Sequence, residues 1–151
     1  MIKVTALTQP TLRAMDRLFR DVSRPGPAMK LVGLVGQGFV QRRFKEGKDP
    51  RGEPWHELAT ATILRRRNKD KGSIKPLVDT GRLMNSINFR ATSVEAIVGT
   101  NVIYSATHNF GDPSRNIPKR EFMGVTPVEE QIILRRVDAW VSERVRAQGL
   151  R

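Results

Sequence analysis

Apolar residues at helical spacing open the chain: Leu12, Met15, Phe19 and Val22 predict an amphipathic helix over 8–22, with Pro10 in its first turn. Arg24-Pro25-Gly26-Pro27 ends it. A second helix is expected from Pro27 to about Lys45, with Leu31, Val32, Val35 and Phe39 on its buried face. Gly33, Gly36 and Gly38 interrupt that face. Their G-x-x-G-x-G order, with no preceding strand and no Gly-Lys-Ser/Thr, does not fit a phosphate loop, and close approach of another backbone is the expectation there. The breaker cluster 47–54 then delivers Trp55. Thr60 is placed to cap a short helix over 61–68, with Ile63 and Leu64 inward and Arg65, Arg66, Arg67, Lys69 and Lys71 outward.

The stretch 77–124 is the most informative. Leu77-Val78-Asp79-Thr80-Gly81 leads into a helical turn joining Leu83 to Ile87, for which Asp79 or Thr80 suits the cap. Ile87, Phe89 and Ala91 alternate with Asn88 and Arg90, a short Thr92-Ser93 turn follows, and 94–99 reads as the returning strand of a hairpin. Tyr104 to Phe110 is apolar and polar by turns and closes on Gly111. A polar loop spans 112–119, and Phe122 is expected on a short strand. Thr126-Pro127-Val128-Glu129 matches a capping box with proline at the first helical position, opening a helix to about Gln148. Its apolar stripe is Val128, Ile132 or Ile133, Val137, Trp140, Val141 and Val145. The fold class is therefore α+β: a small antiparallel sheet flanked by N-terminal helices and a long C-terminal helix, with 47–76 as an extended loop or arm, in a single domain over 1–151. Leu83, Ile87, Phe89, Val98, Tyr104, Phe110 and Phe122 are the expected core.

Composition narrows the chemistry. The 151 residues, 38% of them hydrophobic, suffice for one modest core. The absence of cysteine excludes disulfides, thiolate metal sites and a cysteine nucleophile. With no signal-peptide pattern and no long apolar run, the expectation is a soluble, unprocessed protein without a membrane partner. Lys and Arg number 27 against 15 acids, a formal charge of +12, which favours an acidic counterpart. The run from Arg65 to Lys71 would neutralise phosphates or, lacking interleaved aromatics, is a solvated or partner-facing helix end favoured by the helix dipole.

Asp79-Thr80-Gly81 after an apolar pair also looks like the catalytic loop of an aspartic protease, whose chemistry needs two such carboxylates sharing a proton. Arg82 puts a cation where that proton is needed, no glycine-rich flap follows, and the terminal helix is foreign to that fold. Ser86, His108 and Asp79 can be written as a triad, but a chain of this size supplies such a trio by chance. His56 and His108 lack clustered carboxylates, so neither metal nor cofactor is expected; His108 is expected to be a hydrogen-bonded structural histidine.

Phe44, Gly52, Trp55, Leu58 and Thr62, then Leu77-Val78-Asp79-Thr80-Gly81-Arg82-Leu83 with Ser86-Ile87, Val98-Gly99-Thr100, Tyr104-Ser105-Ala106-Thr107-His108-Asn109-Phe110-Gly111 and Ile117-Pro118-Lys119-Arg120-Glu121-Phe122-Met123-Gly124 together resemble the phage virion morphogenesis family of tail-completion or neck proteins. The resemblance spans about 28–145. Departures are Ser105, Asn109 and Glu121, where the family usually has alanine, glutamine and proline. The resemblance implies a non-enzymatic structural subunit of a closed ring, hexameric by expectation, at the virion neck or head-proximal end of the tail, assembled in the host cytoplasm. Its partners would be further copies, neck or connector and tail-tube proteins, with transient proximity to packaged DNA. Trp55, Arg65, Arg66, Arg67, Lys69 and Lys71 are the expected assembly interface. Asp79, Thr80, Gly81, Tyr104, His108, Phe110, Gly111, Pro118, Arg120 and Phe122 are the motif positions. The rival reading is a small nucleic-acid-binding protein using Arg42, Arg43, Lys45, Lys48 and the Arg65 cluster.

Overall fold

A computed structural model describes residue 20 and residues 26–67 and 73–147. The helix expected over 8–22 and the positions Lys69 and Lys71 lie outside the described residues, apart from Arg20. The elements are α1 (Gly26–Glu46), α2 (Thr60–Arg67), α3 (Arg82–Ser86), β1 (Asn88–Ala91), β2 (Ala96–Gly99), α4 (Ser105–Phe110), a 3-10 turn (Pro113–Arg115) and α5 (Pro127–Ala147). This is an α+β fold with one antiparallel hairpin as its sheet. Asn88 pairs with Gly99 and Ala91 with Ala96, so Phe89 and Val98 stand opposite each other on the face turned to α1.

That face explains the glycines of α1. A β-carbon on Gly33 would overlap the Phe89 ring, and one on Gly36 would sit 3.0 Å from the Val98 Cγ2. Side chains of the hairpin, not another backbone, press into the helix there. Gly38 meets nothing within 4 Å. The fully buried face of α1 is consequently Ala28, Gly33, Phe39, Val40, Arg43 and Phe44, while Leu31, Val32 and Val35 are half-buried.

The core gathers Val40, Phe44, Trp55, Leu83, Ile87, Val102 and Phe122. Phe44 meets the Trp55 ring edge-on at 5.4 Å and the Phe122 ring at 5.2 Å. The loop after α1 reaches this core through a left-handed Gly47 and a bridge between Lys48 and Pro54. There the Trp55 indole N–H donates to the Glu121 carbonyl at 2.8 Å. Trp55 is thus 5% exposed. The first part of the expected arm is packed on its own chain, because an indole that finds both aromatic neighbours and an acceptor has no reason to stay in solvent.

Two aromatics expected in the core are outside it: Tyr104 is 39% and Phe110 73% exposed. Phe110 ends α4 and Tyr104 is its N-cap; the segment that reads as apolar and polar by turns is this helix, whose inward position is Asn109. The Asn109 Oδ1 accepts from the Phe122 and Met123 N–H groups at 3.0 and 2.9 Å. Phe122 is buried as expected but in irregular chain, not on a strand. Its N–H is satisfied by that side chain, which removes the need for a ladder.

The capping box of α5 forms in both directions: Glu129 N–H donates to the Thr126 hydroxyl at 3.2 Å, and Thr126 N–H donates to the Glu129 carboxylate at 3.1 Å. The same carboxylate pairs with Arg43, which also donates to the Phe122 and Gly124 carbonyls at 2.8 and 3.0 Å. Buried charge is tolerated when paired and fully hydrogen bonded, and this cluster joins α1, the irregular segment and α5 at one point. Val128, expected in the apolar stripe, is 69% exposed, and the rest of the stripe is half-buried.

Candidate functional site

The motif positions Asp79, Thr80, Gly81, Tyr104, His108 and Arg120 meet in one cleft of about 410 Å³, lined also by Leu58, Arg66, Leu77, Arg82 and Leu83. Gly81 enters α3 at φ 76°, a left-handed conformation open to glycine. Leu77 adopts φ 61° despite its side chain, a conformation that costs about 1 kcal/mol or more. Thr80 accepts from the Arg82 N–H at 3.4 Å. Asp79 does not cap α3; its carboxylate faces the Arg66 Nε at 3.6 Å.

Across the cleft, α4 sets Tyr104 and His108 one turn apart, their rings edge-to-face at 5.8 Å. Gly111 ends that helix at φ 80°, where a β-carbon would lie 2.9 Å from the Lys119 nitrogen. Only glycine lets the chain fold back so closely, and the return is closed by the Arg120 N–H donating to the His108 carbonyl at 2.8 Å. Arg120 then extends beneath the cleft, donating to the His56 and Glu57 carbonyls at 2.7 Å each. It is 6% exposed.

The electrostatics are lopsided. Arg66, Arg82, Arg120 and His108 face one carboxylate, that of Asp79. Among the described residues no carboxylate reaches ion-pair distance of Arg120. Burial and the neighbouring Arg66 pull its guanidinium below the ordinary arginine value, yet arginine stays charged in proteins. Arg66 donates through Nη1 to the Ser73 and Lys75 carbonyls at 2.8 and 3.1 Å, while its buried Nε has no hydrogen-bond acceptor. The His108 Nδ1 is likewise buried without a partner, contrary to the hydrogen-bonded histidine expected. Burial, Arg120, Arg115 and Arg66 all push the His108 imidazole below its ordinary value.

The other expected positions fall elsewhere. The Ser86 hydroxyl donates to the Leu83 carbonyl at 2.7 Å and meets the Thr100 hydroxyl, so the written triad does not assemble. Phe110, Gly111 and Pro118 line a neighbouring groove of about 660 Å³ that shares Leu58 and Arg120 with the cleft. Of the expected assembly residues, Trp55 is core, Arg66 is held in the cleft wall, and Arg65 and Arg67 are exposed on α2, which buries none of its residues. Among the described residues no three His, Asp or Glu side chains converge as metal ligands. No described helix is long and apolar enough to cross a membrane. Sequence reasoning missed the Arg43–Glu129 pair and the strained Leu77; Glu129 was legible as a capping residue, but nothing local announces its distant cation.

Residues 6–142 match the phage virion morphogenesis family. The chain belongs to that family. It is also 33% identical over 131 residues to a protein described as Mu-like prophage FluMu G protein 2, from Haemophilus influenzae, covering 83% of this chain and 85% of that one. No solved structure matches. Membership makes this a phage structural protein of virion morphogenesis, and the cleft brings together six of the motif positions that carry the resemblance, Asp79, Thr80, Gly81, Tyr104, His108 and Arg120.

Proposed function

We propose that the chain is a ring-forming subunit at the head–tail junction that completes or terminates the tail and supports its joining to the head. The observation that carries this reading is the family match across 6–142. The surface supports it. Ile103, Val94 and Phe110 are 94%, 80% and 73% exposed, apolar side chains that a neighbouring copy can cover. A two-stranded hairpin also leaves open edges that a neighbour can cover. Copies meeting through unlike surfaces close into a ring, for which six is the expected number. Its neighbours are connector and tail-tube proteins, and Arg65 and Arg67 remain exposed toward an acidic surface.

The nucleic-acid reading is weaker on geometry. Arg43 is buried against Glu129, and Arg42 lies 3.9 Å from Glu46 and 3.6 Å from Glu129, so two of its expected phosphate contacts are already engaged. The test is to delete the coding sequence from a phage that carries it and image the particles. Filled heads and separate or abnormally long tails are expected, restored by supplying the chain. Normal, infectious particles would overturn the reading.

A further inference from the structure

Arg120 is a buried cation whose charge is answered, among the described residues, only by two carbonyl oxygens. Burying an unpaired charge costs several kcal/mol, so a cation in this position calls for an anion that the described part of the subunit does not supply. Beside it lie a buried Arg66 Nε and a buried His108 Nδ1, both without hydrogen-bond partners, and an exposed Arg82 at the rim. Asp79 is the one carboxylate of the lining and stands 3.6 Å from Arg66. Leu58, Leu77, Leu83 and Tyr104 supply the apolar part of the walls, beside Thr80 and Gly81.

The matching group is present on the same chain, away from the cleft. Six described carboxylates, Glu53, Glu57, Glu95, Glu130, Asp138 and Glu143, have no ion pair. Three of these lie on α5, which contributes nothing to the cleft lining. Spacing of four residues puts Glu130, Leu134 and Asp138 on one helical face, and all three are exposed, Leu134 at 53%. That face offers an apolar side chain between two acids, the complement of a cleft with apolar walls and excess cations.

We propose that the cleft of one copy receives the Glu130–Leu134–Asp138 face of helix α5 from a second copy, joining subunits head to tail. The inference rests on the ring reading above and names the contact that builds it. Acceptor and donor are different surfaces of the same chain, so each copy has one of each left over, and the association continues until it closes. The strained Leu77 turn is consistent with a site shaped for a partner.

The experiment uses the full chain carrying Arg82→Lys, mixed from isotope-labelled and unlabelled copies, treated with a zero-length carbodiimide and digested for mass spectrometry. The expected product is an isotope-mixed crosslink from the peptide of position 82 to the peptide of Glu130 or Asp138. Sedimentation velocity of the double variant Glu130→Gln, Asp138→Asn should show association weakened about tenfold or more, the range of close charge pairs across interfaces, with unchanged helix content. Assemblies in which position 82 couples only within its own copy, or which the double variant forms as readily as the parent, sink this contact and leave the ring standing. A chain that stays monomeric at every concentration removes the ring reading and the contact together.

Discussion

The indole of Trp55 is held by two independent forces, edge-on packing against Phe44 and a 2.8 Å hydrogen bond to the Glu121 carbonyl. Trp55→Ala should therefore cost about 3–5 kcal/mol of unfolding free energy, read from the denaturant midpoint at unchanged slope; a shift equivalent to under about 1 kcal/mol would place the side chain outside the core. His108 gives a pH signature instead. Its imidazole is faced by Tyr104, Asp79, Arg66, Arg82, Arg115 and Arg120, and its protonation is disfavoured first by burial and then by Arg120, Arg115 and Arg66. A folded-state value below the unfolded one means that the unfolded chain binds the proton first, so stability is full above about pH 6.5 and falls as pH drops through the folded value. Stability curves of the parent and His108→Gln should converge toward acid pH over that window, the variant having no proton to refuse. Parallel curves would show that the imidazole is not so disfavoured. Both residues stood out in the sequence, but their burial did not: whether an aromatic turns in or out depends on partners 66 residues away in the Trp55 case, and local periodicity carries no such information.

At the scale of elements, α1, the hairpin and the start of α5 were legible because each is fixed by neighbours along the chain: breakers, alternation and a capping box. The face of α1 was not, since a hydrophobicity pattern gives glycine no weight, whereas here Gly33 marks where Phe89 docks. This yields a paired prediction. Gly38→Ala, into open space, should stabilise by about 0.5–1 kcal/mol through helix propensity. Gly33→Ala should instead destabilise by about 1–3 kcal/mol through overpacking against the ring, and thermal midpoints moving in the same direction would dismiss the close contact. The α5 start can be dissected likewise. Thr126→Ala removes only the cap, about 1 kcal/mol. Glu129→Ala also strands the buried Arg43, so its loss should be about 3–5 kcal/mol. Equal losses for the two, in chemical denaturation, would mean that Arg43 does not need the carboxylate.

For the whole molecule the deciding quantity is a formal charge of +12 per copy. Bringing such copies together raises like-charge repulsion that acts over about 10 Å at 0.1 M salt and about 3 Å at 1 M. The proposed α5 contact opposes it with ion pairs in a partly buried cleft, which salt screens much less than it screens exposed charge. Raising salt should therefore strengthen ring formation, because the long-range penalty fades faster than the short-range attraction. Binding to nucleic acid has the opposite sign, since each neutralised phosphate releases a counterion and affinity falls steeply with salt. Sedimentation of the chain alone and mobility shift with duplex DNA, run over the same salt series, separate the two on one preparation. Association that grows with salt, beside DNA binding that vanishes by physiological ionic strength, is the expected pair. Self-association that collapses with salt would mean that exposed ion pairs dominate the subunit contact, and tight, salt-steep DNA binding would turn the basic surface from a protein neighbour toward the packaged genome.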